Sequence, residues 1–364
     1  MQKRTIKTSL GTCSVCVGDG AFSAFAEGEK GKRKPFVVTD KTVFSLYGKL
    51  LRVAFPTADF FLLPSIKNTE KNKSGKALFK ILQRMSELGV KRDGVLYAVG
   101  GGTVGDVGAL AAALYMRGIA YVQIPTTLLA QVDSALGGKS AINLGKIKNT
   151  VGSFYPPEAV IVDPLFLETL PPREIKCGLG EIVKYAVLSP EIYDKLDDGE
   201  EGSLSSLAFL TSVTEDCLFF KSDVVERDER DTGDRKCLNL GHTTAHALEL
   251  SYRLSHGEGV MLGLLCETEF AVRKGWCKRE DAEKIAELVH AAWSVAPQSK
   301  LRFSNEKKLK KALMNAAADK KNEGDGEVCL CAPRSVGKWA LYKTDVETYV
   351  GTMSEILQGL IKKR

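Results

Sequence analysis

Short apolar runs alternate with segments of helical spacing through the first half of the chain. Pro35–Asp40, Phe60–Pro64, Val95–Val99, Tyr121–Ile124 and Val160–Val162 read as strands, each brief and rich in β-branched or aromatic residues. Between them Lys73–Leu88 and Val104–Met116 have helical spacing or composition. This alternation predicts a mostly parallel sheet covered on both faces. After the Leu170-Pro-Pro172 break the pattern changes to helical segments at roughly 174–188, 203–226, 240–251, 256–274, 279–295, 306–318 and 343–361. At 364 residues the chain exceeds what one core usually serves. The expected fold is an α/β domain over residues 1–172 followed by an all-α domain over 173–364.

Composition narrows the class. Apolar residues at 44% and charged residues at 26% are ordinary for a globular protein and exclude collagen-like or disordered readings. The longest apolar run, Ala109–Met116, falls far short of the roughly 18 residues a membrane span needs. Lys3, Arg4 and Lys7 have no apolar stretch behind them, so a cytoplasmic protein is expected. Nine cysteines, an odd number, do not form a disulfide framework in a chain of this size. Cys13-Ser-Val-Cys16 lacks a second such pair to complete a zinc site, and Cys329-Leu-Cys331 has strand spacing. The net charge of +6 is uneven: residues 1–172 hold 22 Lys and Arg against 13 Asp and Glu. These cations are scattered, with no aromatic-basic motif for nucleic acid, and match an anionic small substrate. The Lys30–Lys34 cluster reads as a solvated loop.

Gly100-Gly-Gly-Thr-Val-Gly105 follows a strand, opens a helix and formally matches G-x-G-x-x-G. Glycines there let backbone N–H groups approach a pyrophosphate at the positive end of the helix. No acidic residue follows some 20 positions later to hold a ribose, so the standard fingerprint is incomplete. Asp106 directly after the turn is a functional candidate. Histidines are more decisive. Three of the four fall within fifteen residues: His242, His246 and His256. His242 and His246, four apart, share one helical face, and His256 starts the next helix. Two imidazoles and a third from a neighbouring helix suit Zn²⁺, given a carboxylate. The spacing leaves open which of the paired histidines binds. Glu181 and Lys184, three apart, form either an intrahelical pair or, for Glu181, the missing carboxylate ligand. Lys139, after Gly137-Gly138, and Lys148-Asn149 are expected on loops, where cations grip phosphate or carboxylate.

Taken together, Gly100-Gly-Gly-Thr-Val-Gly-Asp106, Tyr115-Met-Arg-Gly118, Pro125-Thr-Thr-Leu-Leu-Ala-Gln-Val-Asp133, Gly137-Gly-Lys-Ser-Ala-Ile-Asn143, Thr169-Leu-Pro-Pro-Arg-Glu174, Gly180-Glu-Ile-Val-Lys-Tyr185, Asn239-Leu-Gly-His242 and His256-Gly-Glu258 resemble the 3-dehydroquinate synthase family, from about Val37 to Lys321. That family belongs to the sugar-phosphate cyclases, with an NAD-binding α/β domain and a helical metal domain. The resemblance implies conversion of 3-deoxy-D-arabino-heptulosonate 7-phosphate to 3-dehydroquinate and phosphate, a step of the shikimate route to aromatic amino acids. It implies catalytic NAD, Zn²⁺ or Co²⁺, a sugar-phosphate substrate, a homodimer, and neither nucleic acid nor membrane as partner.

Carried over by position, the resemblance implies Glu181, His242 and His256 as metal ligands and His246 as an acid/base and hydrogen-bonding group. It implies Lys139, Asn149, Lys184, Lys221, Arg235 and Asn239 as substrate contacts, with Arg117 reaching in from a partner subunit and one Lys of Lys320-Lys321 adding to them. For NAD it implies Asp40, Glu70, Lys73, Gly101, Gly102, Asp106, Thr126, Thr127, Asp133, Lys148, Phe166, Thr169, Leu170 and Glu174. The chain departs from the family pattern at Asp231, commonly Glu, and at Leu144, often His. A metal-dependent NAD polyol dehydrogenase would share fold and cofactors but has little use for so many cations. A cyclase acting on another sugar phosphate would keep most of the motifs.

Overall fold

The computed structural model describes residues 1–65, 69–145, 147–198, 203–296, 303–316 and 326–362. These fall into two units, one of Met1–Leu170 with Thr214–Arg230, the other of Pro171–Val213 with Asp231–Arg364.

In the first unit the chain runs β1 (Gln2–Thr8), β2 (Gly11–Val17), α1 (Ala21–Glu29), β3 (Pro35–Asp40), α2 (Lys41–Ala54), β4 (Asp59–Leu63), α3 (Gly75–Glu87), β5 (Val95–Gly100), α4 (Gly102–Leu114), β6 (Ala120–Pro125), β7 (Lys139–Leu144), β8 (Ile147–Phe154) and β9 (Ala159–Val162). Seven strands form one sheet in the order β1-β2-β9-β6-β5-β3-β4. All neighbours pair parallel except the β1–β2 hairpin. Period-2 alternation sends Phe36 and Val38 of β3 to one buried cluster and Val37 to another. The first cluster is closed by Leu78, Ile81 and Met85 of α3 and Val107 and Leu110 of α4; the second by Phe22 of α1 and Leu51 of α2. Apolar residues on both faces explain why these strands read as continuous hydrophobic runs. Cys13 and Cys16 of β2 also divide between clusters, and all nine cysteines are unbridged. The Lys30–Lys34 segment is largely exposed, although Arg33 pairs with Glu29 and Glu158.

The second unit holds α5 (Pro172–Leu188), α6 (Pro190–Asp197), the start of α7 (Leu207–Arg227), α8 (His242–Tyr252), α9 (His256–Arg273), α10 (Arg279–Ser294), α11 (Glu306–Leu313), β10 (Glu327–Ser335), β11 (Lys338–Asp345) and α12 (Val346–Lys362). It is mostly helical, and one feature corrects the all-α expectation: β10 and β11 pair as an antiparallel hairpin. Cys329-Leu-Cys331 had the spacing for it, whereas residues 343–345, expected in the last helix, end β11. Trp276 stacks on Tyr342 at 3.8 Å between ring centres, fixing the hairpin to the loop after α9.

The Thr214–Arg230 stretch joins the first unit for identifiable reasons. Leu218 completes the cluster of Ile6, Cys13 and Val15. Arg4 pairs with Asp223, the Lys7 N–H donates to Glu226 at 2.9 Å, and the Ser9 N–H donates to Glu229 at 2.9 Å.

Candidate active site

Asp40, Gly100 and Pro125 end three adjacent parallel strands, so the glycine turn and Thr126-Thr127 lie at the carboxyl edge of the sheet. Strand order reverses beside β3 and β5, the position where open α/β sheets bind ligands. The glycines of the turn are set by space: none of those from 100 to 108 has a left-handed φ. A Cβ on Gly100 would lie 2.5 Å from Val104, one on Gly105 2.8 Å from Gln123 Oε1, and one on Gly108 3.0 Å from the Ala98 Cβ. Gly101 and Gly102 face Thr127 and Ser134. α4 begins after Gly101 with no side-chain cap, which leaves its first N–H groups for an anion.

Behind this turn lies a polar network within the first unit. Lys73, 7% exposed, is 2.7 Å from the Asp106 carboxylate and 3.8 Å from Glu70, and donates to Asn149 Oδ1 at 2.5 Å. Asn143 donates to Glu70 at 2.8 Å and accepts from the Asn149 N–H at 2.9 Å, which steadies Asn149 at φ 52°. Burial pushes the Asp106 carboxyl up, with the Lys73 ammonium opposing. Lys221 Nζ donates to the Asp133 carbonyl at 2.7 Å and to its carboxylate at 3.0 Å. Asp133 sits on a π-helical turn, Ala130–Ser134. The cofactor-side candidate Lys73 and the substrate-side candidate Asn149 thus share one network.

Other expected residues are differently committed. Lys139, Lys148 and Asn149 lie on the β7–β8 hairpin and not on loops, because the apolar and β-branched residues around them pair as antiparallel strands. The Phe166 side chain is 1% exposed and packs edge-on to Phe22 and Tyr47, so it belongs to the core. Asp40 caps α2 by accepting from the Thr42 and Val43 N–H groups. Thr169 hydrogen-bonds Tyr47, Leu170 closes a turn onto the Leu167 carbonyl, and Glu174 is exposed in the first turn of α5. Arg117 is exposed and, with Met116, has left-handed φ. Lys320 and Lys321 lie outside the described residues.

The second unit assembles the histidines. Glu181, fully buried on α5, has Oε1 2.8 Å from His256 Nε2 and 3.2 Å from His242 Nε2. Its other oxygen is 2.5 Å from the Lys184 ammonium, so the intrahelical pair forms and leaves Oε1 for the two imidazoles. Each imidazole is oriented from behind: His242 Nδ1 meets the Leu240 carbonyl at 3.0 Å and His256 Nδ1 meets Glu249 at 2.9 Å. With Nδ1 engaged from behind, both Nε2 atoms are turned toward Glu181, and His256 Nε2 hydrogen-bonds its Oε1; imidazoles oriented in this way are prepared as metal ligands. One carboxylate and two imidazole donors within 4.8 Å of one another match the donor set of Zn²⁺ or Co²⁺. His246 is exposed one turn along α8, grouped with Glu249 and His256. Burial would raise the Glu181 carboxyl, but Lys184 and His242 outweigh it and hold the group well below the usual range. Burial pushes His242 down to about 4, so it is neutral and ligand-ready at pH 7. Burial would lower His256 too, but hydrogen bonds to Glu181 and Glu249 raise it. Arg235 is buried and Asn239 half-buried at the two ends of one short turn.

Sequence reasoning missed Glu249 and the linking role of Asn143. Glu249 stands three residues after His246, a spacing that signals a shared helical face. Asn143 lay within a recognised motif, but its partners are distant in sequence.

A parallel α/β unit with a glycine turn, followed by a helical unit with a Glu-His-His cluster, defines the class as that of the sugar-phosphate cyclases. Structural comparison agrees: 2-deoxy-scyllo-inosose synthase, solved with carbaglucose-6-phosphate, NAD⁺ and Co²⁺, superposes with TM-score 0.84 at 25% identity, covering 98% of this chain and 99% of that one. A protein of Sinorhizobium meliloti described as a probable glycerol dehydrogenase shares the fold at TM-score 0.66 and 14% identity, covering 96% of this chain and 97% of that one. The chain belongs to the 3-dehydroquinate synthase family: residues 64–177 match the family's N-terminal model and 178–322 its C-terminal model. The 3-dehydroquinate synthase of Clostridium acetobutylicum is 38% identical over 295 residues, 76% of this chain and 83% of that protein. That of Alkaliphilus metalliredigens is 33% identical over 343 residues, 93% of this chain and 94% of that protein.

Proposed function

We propose that this chain catalyses the 3-dehydroquinate synthase reaction, converting 3-deoxy-D-arabino-heptulosonate 7-phosphate to 3-dehydroquinate and phosphate with NAD⁺ and Zn²⁺ or Co²⁺ bound. The observation that carries the reading is the burial of Lys184, Lys221 and Arg235, at 1%, 5% and 2% exposure, in a protein with a Glu-His-His centre. Lys184 and Lys221 also meet Glu181 and Asp133, and ammonium and guanidinium groups of this number suit a ligand that brings anions, whereas a plain polyol offers no charge. This substrate brings a carboxylate and a phosphate.

Glu181, His242 and His256 would hold the metal; Asp106, Lys73, Glu70, Asp133 and the open start of α4 would hold NAD⁺. When bound, the metal supplies a Lewis acid for a substrate oxygen, and NAD⁺ supplies a hydride acceptor that is regenerated within the turnover. The protein's own groups do the rest. Lys139, Asn149, Lys184, Lys221, Arg235 and Asn239 bind the substrate's anionic and hydroxyl groups. His246, exposed beside the centre, handles protons and hydrogen bonds. The chain works as a homodimer in which Arg117 serves the partner's site. In support, Leu114 and Met116 flank Arg117 with 53% and 46% of their surface exposed, apolar area that suits an interface.

Incubation with the heptulosonate phosphate and catalytic NAD⁺ should release phosphate and form the carbocyclic product without net NADH. NADH accumulating one per turnover would overturn the reading in favour of a dehydrogenase. Phosphate release from a different sugar phosphate alone would reassign the substrate.

A further inference from the structure

Lys176 lies on α5, five residues before Glu181, and is 0% exposed. Neither the motifs nor the roles above use it. Its ammonium is 3.1 Å from Glu258 Oε1, hydrogen-bonds the Ala296 carbonyl at 3.4 Å and lies 5.7 Å from the ring centre of Trp293. The other oxygen of Glu258 accepts from the Ser255 N–H and hydroxyl, both at 3.0 Å. The Ser255 hydroxyl in turn accepts from the Glu258 N–H at 3.4 Å, completing a capping box. His256 is the first residue of α9, between the two members of that box.

The backbones of α5 and α9 also meet at this point. A Cβ on Gly257 would lie 2.1 Å from the Cys177 carbonyl oxygen, and one on Gly180 2.5 Å from the Gly257 Cα. The start of α9 is thus seated on the turn of α5 that carries Glu181.

We infer that Lys176 is a positioning residue for the metal centre, locking the Glu258 cap of α9 and thereby the reach of His256 toward Glu181. This rests on reading Glu181, His242 and His256 as metal ligands. Without the ammonium, the Glu258 carboxylate stays buried without the cation that meets its Oε1, and it turns from the position in which its other oxygen holds Ser255. That change loosens the cap and lets the His256 ring drift from the geometry shared with Glu181. Partners behind a metal's direct ligands typically change affinity by about 10- to 100-fold.

The test uses the full chain loaded with Co²⁺, following the visible d–d bands and the rate of metal loss to a chelator. Lys176→Met should shift the bands and speed metal loss at least about tenfold. A double variant, Lys176→Met with Glu258→Gln, carries no stranded charge and should return metal loss to within about threefold of wild type, a change under 1 kcal/mol. It also serves if the single variant does not fold. Lys176→Met with wild-type bands and wild-type metal loss would overturn the inference, as would a double variant that loses metal tenfold faster than wild type. Wild-type protein that takes up no metal would overturn the centre itself, and this inference with it.

Discussion

Lys73→Met probes the network behind the glycine turn. The substitution keeps the length of the side chain and removes the charge that Asp106 meets at 2.7 Å. Lys73 and Asp106 side chains are 7% and 22% exposed, so solvent screens the pair only weakly. Removing one partner of a buried pair typically costs about 3 to 5 kcal/mol. Lys221 also acts on Asp106, so the lower end applies, about 3 kcal/mol. In a unit of this size that lowers the melting temperature by roughly 6 to 12 °C. The sign of the pH dependence follows from Asp106, whose carboxyl is already raised by burial against the pull of Lys73. Losing Lys73 raises it further. A carboxyl with a raised folded-state pKa contributes stability at low pH and loses that contribution as pH rises through the folded value. The deficit of the variant should therefore be largest near pH 8 and shrink toward pH 5. Calorimetry of protein without NAD⁺ at both pH values is the assay, with Lys73→Met/Asp106→Asn expected to recover most of the loss. A deficit equal at pH 5 and pH 8 would refute the electrostatic account, and no deficit at all would show the pair to be energetically idle.

Gly257→Ala should destabilise the helical unit by several kcal/mol, since its Cβ would overlap the Cys177 carbonyl at 2.1 Å; a urea midpoint matching wild type would contradict this. Glu249→Gln should weaken metal binding about 10- to 100-fold by removing the charge behind His256, as read by chelator competition; unchanged affinity would show that ring to be held by something else. Burial pushes the Cys13 thiol up to about 12 and Cys277 to about 11, so neither should react with an aromatic disulfide reagent at pH 8. Unfolding should release all nine thiols, and rapid labelling of Cys13 in folded protein would show the β1–β2 hairpin to be open.

Local signals carried much of the architecture into the sequence. β3 falls where its apolar run does, and α9 starts at His256 because Ser255 and Glu258 form a cap that can be read from spacing. The clustering of His242 and His256 was also legible, since histidines are scarce and these two stand close in the chain. Two features had no local signature. Strand β8 has largely exposed residues, Ile147 and Val151 among them, so its apolar positions do not mark a buried face. The association of Thr214–Arg230 with the first unit depends on partners such as Arg4 and Ser9, more than 200 residues away. The Lys221–Asp133 contact, 88 residues apart, is invisible for the same reason.

The crowding at Gly100, Gly105 and Gly108 bears on how such a turn would age in a gene copy freed from its original task. A descendant that no longer held a dinucleotide would still have to fit Val104, Gln123 and Ala98 against the same backbone. Packing alone would then preserve the glycine pattern long after the cofactor was gone. Lys73 and Asp106 have no such protection, because a buried ion pair without a task is readily replaced by apolar side chains. On the proposed NAD⁺-binding role of Lys73 and Asp106, the charged pair would mark the retained cofactor in surveys of genomes, and the glycines only the fold.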